Sequence, residues 1–379
     1  MTRHFACSVR LLVSALALSV GCNNSSDPMP GSAASGSAGA GGMAGSGVAG
    51  AGMGGFGMGG SLATSQSGGP ATIADGFSSP GPLALDTTSV YWLASPYIFT
   101  ETDLPTVRKV GINGGDSTIL TTGLGNMEAI AVDSTNVYWA DDPVGGGGPD
   151  RIMKVPLGGG DSTMLIDTGT DIASAIAVDG SNLYWANQPS YLSQGSIKKV
   201  PLAGGTPTIL ADSQALAGPM VIDSASVYWA TSDVGVNSGA VMKVALGGGI
   251  PVTLASGQDV PVSLAVNATD VYWITSGLAN GNMGSVMKVS LDGGTPTLLA
   301  ATSLAQRAAI AVDTTAVYWG TGFTNDSLGT LVKMPFGGAA PVVLAASQVP
   351  VGVVVDDSNI YWTNDRLIVG QSTVSKMTK

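Results

Sequence analysis

"EAIAVDSTNVYWADDPVGGGGPDRIMKVPLGGGDSTML" (residues 128–165) falls into four short runs rich in valine, isoleucine, leucine and aromatic residues: EAIAVD, VYWAD, RIMKVPL and STML. They are parted by Ser-Thr-Asn, by a glycine-rich loop and by three glycines. Short runs of this composition bounded by turn formers read as β-strands. No stretch keeps a 3.6-residue apolar period long enough to compete as a helix. We label the four strands a, b, c and d.

The same unit recurs along the chain. Val-Tyr-Trp or a close variant occurs seven times, and its tryptophans, Trp92, Trp139, Trp185, Trp229, Trp273, Trp319 and Trp362, are all the tryptophans present. Their spacings are 47, 46, 44, 44, 46 and 43 residues, the length of a four-stranded propeller blade. Strand c carries a lysine in every unit: Lys109, Lys154, Lys199, Lys243, Lys288, Lys333 and Lys376.

Strand d follows only six of the units, because the chain stops at Lys379, just after the seventh strand c. The missing copy stands at the other end. "GGPATIADG" (68–76) aligns with "GGTPTILAD" (204–212), the turn and strand d of the third unit. The expected fold is therefore all-β: a seven-bladed β-propeller of four-stranded antiparallel blades. Its ring is closed by an N-terminal strand, 70–74, that completes the last blade and removes a free edge.

The Tyr-Trp pair followed by Ala-Asp, Ala-Asn or Thr-Asn resembles the YWTD repeat of low-density-lipoprotein-receptor (class B type) propellers and their bacterial relatives, over residues 68–379. The resemblance implies the propeller fold and brings no activity with it.

Ahead of the repeats, residues 1–22 carry Arg3, Arg10 and the apolar run "LLVSALALSV" (11–20), ending in Gly21 and Cys22. This is the pattern of a signal peptide, too short in its apolar part to span a bilayer. It resembles a bacterial lipoprotein signal in which the Cys22 thiol takes lipid; an ordinary signal cut near Gly21 is the alternative. Residues 23–67 read as a disordered Gly/Ala/Ser-rich linker, with 14 glycines between Gly31 and Gly60. As a flexible coil the linker spans roughly 35–40 Å, enough to hold a domain off a membrane.

Cleavage at Cys22 leaves a chain with one cysteine, no histidine, and 13 basic against 26 acidic residues, a net charge near −13. No internal disulfide is available to it, and an acidic domain is a poor partner for nucleic acid. Without histidine there is no Ser-His-Asp triad, no His-ligated zinc and no imidazole base. No cofactor is expected.

In an up-and-down blade the a–b and c–d turns share one face, and the b–c and d–a loops share the other. The a–b turns are uniformly three residues, whereas the b–c loops vary, from "ASPYIFTETDLPT" (94–106) to "NQPSYLSQG" (187–195) and "TGFTNDSLG" (321–329). Variable loops on a uniform scaffold are where binding concentrates. Tyr97, Phe99, Tyr191 and Phe323 fall in b–c loops and Phe77 in a d–a segment, a set suited to a contact surface.

Other candidates carry competing readings. Strand a ends in Asp86, Asp133, Asp179, Asp223, Asn267, Asp313 or Asp356. A cation-holding ring of carboxylates is one reading and an Asx turn in each blade is the other; Asn267, which keeps the acceptor and drops the charge, favours the turn. The strand-c lysines read as structural, laid on neighbouring aromatic rings for cation–π or ion-pair contacts. Asp141, Asp142 and Asp150 share one loop and are weak candidate ligands for a hard cation, with solvated turn acids as the plainer reading. Glu128, a weak catalytic candidate, is expected at the channel mouth with Arg307 from the equivalent part of the sixth unit.

The functional expectation is a lipid-anchored, extracytoplasmic binding scaffold that presents its b–c and d–a loops to a protein or glycan of the cell envelope, rather than an enzyme. The alternatives are a histidine-free hydrolase, lyase or isomerase at the channel mouth, and a structural envelope spacer.

Overall fold

The computed structural model describes residues 69–96, 104–143, 150–169, 171–189, 194–215, 217–232, 237–277, 283–303, 308–321, 329–365 and 370–379. The chain opens with β1 (Ala71–Phe77). Blade 1 follows as β2 (Pro80–Leu85), β3 (Ser89–Ala94), β4 (Thr106–Gly111) and β5 (Thr118–Thr122). Blade 2 is β6 (Asn126–Val132), β7 (Asn136–Asp142), β8 (Asp150–Pro156) and β9 (Thr163–Gly169). Blade 3 is β10 (Asp171–Val178), β11 (Asn182–Pro189), β12 (Gly195–Pro201) and β13 (Thr208–Gln214). Blade 4 is β14 (Ala217–Ile222), β15 (Ser226–Thr231), β16 (Gly239–Ala245) and β17 (Val252–Gln258). Blade 5 is β18 (Pro261–Val266), β19 (Asp270–Thr275), β20 (Met283–Ser290) and β21 (Thr297–Ser303). Blade 6 is β22 (Ile310–Val312), β23 (Ala316–Thr321), β24 (Gly329–Pro335) and β25 (Val342–Gln348). Blade 7 is β26 (Pro350–Val355), β27 (Asn359–Asn364) and β28 (Ser372–Thr378), completed by β1.

All seven sheets are four-stranded and antiparallel, and the last has the order β1-β28-β27-β26. The propeller and its closure are as the repeat arithmetic requires. The closing strand runs further than expected, to Phe77 rather than residue 74. Phe77 is 3% exposed, and its ring packs on Trp92 at 5.2 Å between centroids. It is therefore a core residue of the blade 7–blade 1 interface and no part of a loop contact surface.

The Val-Tyr-Trp triplet explains how one repeat builds a ring. Successive strand residues point to opposite faces, so Tyr and Trp of one blade face different neighbours. Tyr91 shares a core cluster with Trp139, Tyr138 with Trp185, Tyr184 with Trp229, and Tyr228 with Trp273. Tyr272 with Trp319, Tyr318 with Trp362, and Tyr361 with Trp92 complete the circle. Each interface buries two large aromatics at 2% exposure or less, and burying one such side chain stabilises by about 1.5–3 kcal/mol.

A second device covers the tryptophans. Gly76, Ser213, Gly257 and Ser347 have left-handed φ of 76°, 54°, 69° and 57°, each just before the last residue of a strand d. The irregular step turns that last residue inward: Gln258 and Gln348 accept from Trp273 Nε1 at 3.1 Å and Trp362 Nε1 at 3.2 Å. Phe77 occupies the same position over Trp92.

Candidate functional site

The two ends of the ring differ in how their polar groups are used. At the a–b turns each strand-a acid closes an Asx turn. In blade 3, Asp179 Oδ1 accepts the N–H groups of Ser181 and Asn182, both at 2.7 Å, and Oδ2 accepts the Tyr184 hydroxyl at 2.7 Å. Asp86, Asp133, Asp223, Asp313 and Asp356 repeat the arrangement. Asn267 Oδ1 accepts from Thr269 and Asp270 at 3.0 and 2.9 Å, and its amide donates to the Tyr272 hydroxyl at 3.3 Å. The carboxylates are committed one by one to their own turns and do not form a shared cation ring.

Burial pushes the carboxyls of Asp86, Asp133, Asp179 and Asp356 up, but the hydrogen bonds from backbone and tyrosine outweigh it and hold all four below the ordinary value. The tyrosines respond oppositely: burial first, then the neighbouring carboxylate, pushes Tyr91 and Tyr228 up to about 12.

The strand-c lysines do more than the sequence discloses. Lys109, Lys154, Lys199 and Lys243 each donate to a backbone carbonyl of the next blade, Leu157, Leu202, Leu246 and Leu291, at 2.6, 3.3, 2.7 and 3.1 Å. Lys376 does the same across the closure, to Ile112 at 2.9 Å. Lys288 instead pairs with Asp270 of its own blade at 3.3 Å. The expected cation–π contacts are also present, with Lys243, Lys333 and Lys376 5.5–5.7 Å from the rings of Tyr228, Tyr318 and Tyr361. Lys379 takes the place of the leucine in the last blade, its side chain paired with Asp313 of blade 6.

At the loop end a small cleft of about 10 Å³ lies where blades 2 and 3 meet. Asn126, Glu128, Asp141, Asp142, Asp150 and Arg151 line it from blade 2, and Ile172 and Ala173 from blade 3. The sequence placed the three aspartates on a loop as solvated turn acids. They are strand ends and buried, at 2, 9 and 7% exposure. Asp141 is held hardest: Oδ1 accepts Gly125 N–H at 2.8 Å, and Oδ2 takes both Nε and Nη2 of Arg151 at 2.8 and 2.7 Å. Gly125 admits nothing larger, since a Cβ there would lie 2.0 Å from the Asp142 carbonyl oxygen.

Among the described residues no three His, Cys, Asp or Glu side chains are grouped to hold a metal ion. Glu128 is half-buried at an irregularity where β6 carries one extra residue against β7. It and Asp171 are the only charged residues on the seven strands a. The cation that shares its cleft is Arg151, which the sequence reading missed. The signal was present, since a hairpin centred on the b–c loop sets Asp141 opposite Arg151. Arg307, Tyr97, Phe99, Tyr191, Phe323 and Cys22 lie outside the described residues.

A scan against protein-family models and a search of curated proteins each gave no match. Among solved structures the chain is similar to a puromycin-hydrolysing peptidase of Mycobacterium tuberculosis, with TM-score 0.60 and 11% identity over 83% of this chain and 55% of that one. It is also similar to an oligogalacturonate lyase in complex with manganese, with TM-score 0.58 and 11% identity over 77% and 86% of the two chains. A nidogen/laminin complex aligns with TM-score 0.45 and 17% identity over 61% of this chain and 86% of that one. The chain thus spans about half the length of the peptidase. At 11% identity the likeness to the peptidase and the lyase is one of fold.

Proposed function

We propose that the protein is an extracytoplasmic binding module of the YWTD type, carried on a lipid at Cys22 and the 23–67 linker, whose loop end engages a protein or glycan of the cell envelope. The observation that carries this reading is the inequality of the two ends. At the turn end every blade spends its Asp or Asn, its Tyr and, in five blades, its Lys on internal bonds, which leaves a near-uniform scaffold. At the loop end the connections differ in every blade, and the Glu128 cleft opens there. Tyr97, Phe99, Tyr191 and Phe323 supply the aromatic contacts in this reading.

The test is capture from envelope extract and from a glycan panel by the full chain, beside a variant with those four aromatics changed to serine. A ligand held by the first and released by the folded variant supports the module. Equal retention by both removes the loop aromatics from the reading.

A second reading, a histidine-free hydrolase, lyase or isomerase, has one observation in its favour: Glu128 and Arg151 line the same cleft. It requires Glu128→Gln to abolish turnover with the melting temperature unchanged. A spacer would tolerate both sets of substitutions.

A further inference from the structure

We propose that a cavity at the loop end of blade 7 is a subsite for a neutral saccharide, held through its hydroxyl groups. This rests on the binding reading above and names glycan rather than protein as the ligand class.

The cavity has a volume of about 430 Å³ and is lined by Asp75, Gly76, Gly370, Gln371 and Thr373. Small-ligand pockets span roughly 300–1,000 Å³. It is built at the seam where β1 meets β28. Ala74 pairs with Val374 and Phe77 with Ser372, so Asp75 and Gly76 together stand against the single Thr373. A bulge of this kind takes residues out of the ladder and re-aims them. Gly76 and Gly370 have left-handed φ of 76° and 73°, and a Cβ on either would meet nothing within 4 Å. Backbone thus borders open space on both sides. The Gly370 N–H donates to Ser78 Oγ at 3.0 Å and ties the two sides together.

The polar groups of the cavity are unspent. The side chains of Asp75 and Gln371 are exposed and make no hydrogen bond or ion pair among the described residues. The acids at the same place in blades 2 and 3 are committed to their own backbone: Asp167 Oδ1 accepts Gly169 N–H at 2.7 Å, and Asp212 Oδ1 accepts Ser213 N–H at 2.8 Å. Thr373 is held from behind. Its Oγ1 accepts from Asn364 Nδ2 at 3.2 Å, and Asn364, 3% exposed, also donates to Gln348 Oε1 at 2.9 Å. A hydroxyl whose oxygen already accepts keeps its proton to give.

The kind of ligand follows from this mixed set. A carboxylate only accepts, whereas an amide both donates and accepts. A sugar hydroxyl does both, so a vicinal pair donates to Asp75 while accepting from Gln371 Nε2 or the Thr373 hydroxyl. An anion would be repelled by Asp75. An apolar ligand would bury the carboxylate without a partner, which is costly. A calcium ion needs six to eight oxygens, and among the described residues no three His, Cys, Asp or Glu side chains are grouped to hold one. With no aromatic ring among the lining residues, affinity rests on hydrogen bonds, and a dissociation constant of about 1 mM is expected.

The experiment titrates the full chain with maltose, lactose and N,N′-diacetylchitobiose by calorimetry, at 50 and 300 mM NaCl. The site variants are Asp75→Ala and Gln371→Ala. Alanine is compatible with the bulge, since Ala301 and Ala346 stand at the place of Asp75 in blades 5 and 6. The control is Asp212→Ala, which removes the same charge from blade 3. At least one sugar should bind, equally at both salt concentrations, with at least tenfold weakening in Asp75→Ala, threefold in Gln371→Ala and less than twofold in the control. Absence of binding by all three sugars would overturn the subsite, as would equal weakening in Asp75→Ala and the control. Tighter binding of N-acetyl-lysine methylamide than of any sugar, screened by salt and lost in Asp75→Ala, would assign the cavity to an ammonium group instead. If Asp75→Ala does not fold, Gln371→Ala alone is read, and no change in it counts against the subsite. An envelope ligand lost when the four loop aromatics become serine but kept by both site variants would leave the binding module standing and remove this inference.

Discussion

The aspartate that ends strand a decides whether a blade turns correctly. Asp179 supplies three acceptor contacts, two to backbone N–H groups and one to Tyr184. Asp179→Ala leaves all three donors without a partner and should cost roughly 1–3 kcal/mol, whereas Asp179→Asn keeps the turn acceptor and should cost less than about 1 kcal/mol. Urea denaturation of the two variants distinguishes them, and equal losses would contradict the Asx role. This contact was legible because it is local: donor and acceptor stand two, three or five residues apart, and Asn267 shows which chemistry the position keeps. The lysine contacts were not legible. Their partners lie 47 or 48 residues along the chain in the four blades that follow the pattern, and they are carbonyls, which leave no mark on residue type.

At the scale of the strand, the sequence located every blade but misplaced ends. Strand b of blade 2 runs to Asp142 and strand d of blade 7 to Phe77, because burial at the blade interface outweighs the turn-like character of Asp, Gly and Ser. The candidate cleft was legible in part. Glu128 and the three aspartates were singled out, but their convergence depends on the b–c register and on a wall from blade 3, and neither is visible in a run of residues. The extension to Phe77 gives β1 real weight in the fold, since Ile73, Ala74 and Phe77 are buried against blade 1. A chain lacking residues 1–67 should melt within about 2 °C of the full chain. One lacking residues 1–77 loses several kcal/mol of burial and uncovers the edge of β28, so its melting temperature should fall by about 10 °C or more, with a tendency to associate. Thermal melts and light scattering measure both, and a small effect of the longer truncation would show that β1 does not close the ring.

Taken whole, the ring repeats one Asp-Tyr arrangement in six of its seven blades, with Asn267 in the other, and its pH response is a sum of like terms. Asp86, Asp133, Asp179, Asp313 and Asp356 have folded-state values below the ordinary 3.8, so the stability they contribute is present above that pH and lost as pH falls further. Tyr91, Tyr228, Tyr272 and Tyr318 are raised from 10.0 to about 12, burial being the largest cause, so their contribution is complete below pH 10 and lost as pH rises through 12. Urea midpoints should therefore be flat with respect to these groups between about pH 4 and 10 and fall on both sides. A midpoint that drops steeply near neutrality would show that other groups dominate.

The pairing of Ala71 with Lys376 also sets a clock. A chain made from its N-terminus at about 5–20 residues per second needs roughly 15–60 s to travel between those two positions. Through that interval β1 has no partner and blade 1 presents a bare aromatic flank. The partner of β1, β28, is the last strand of the chain to be made.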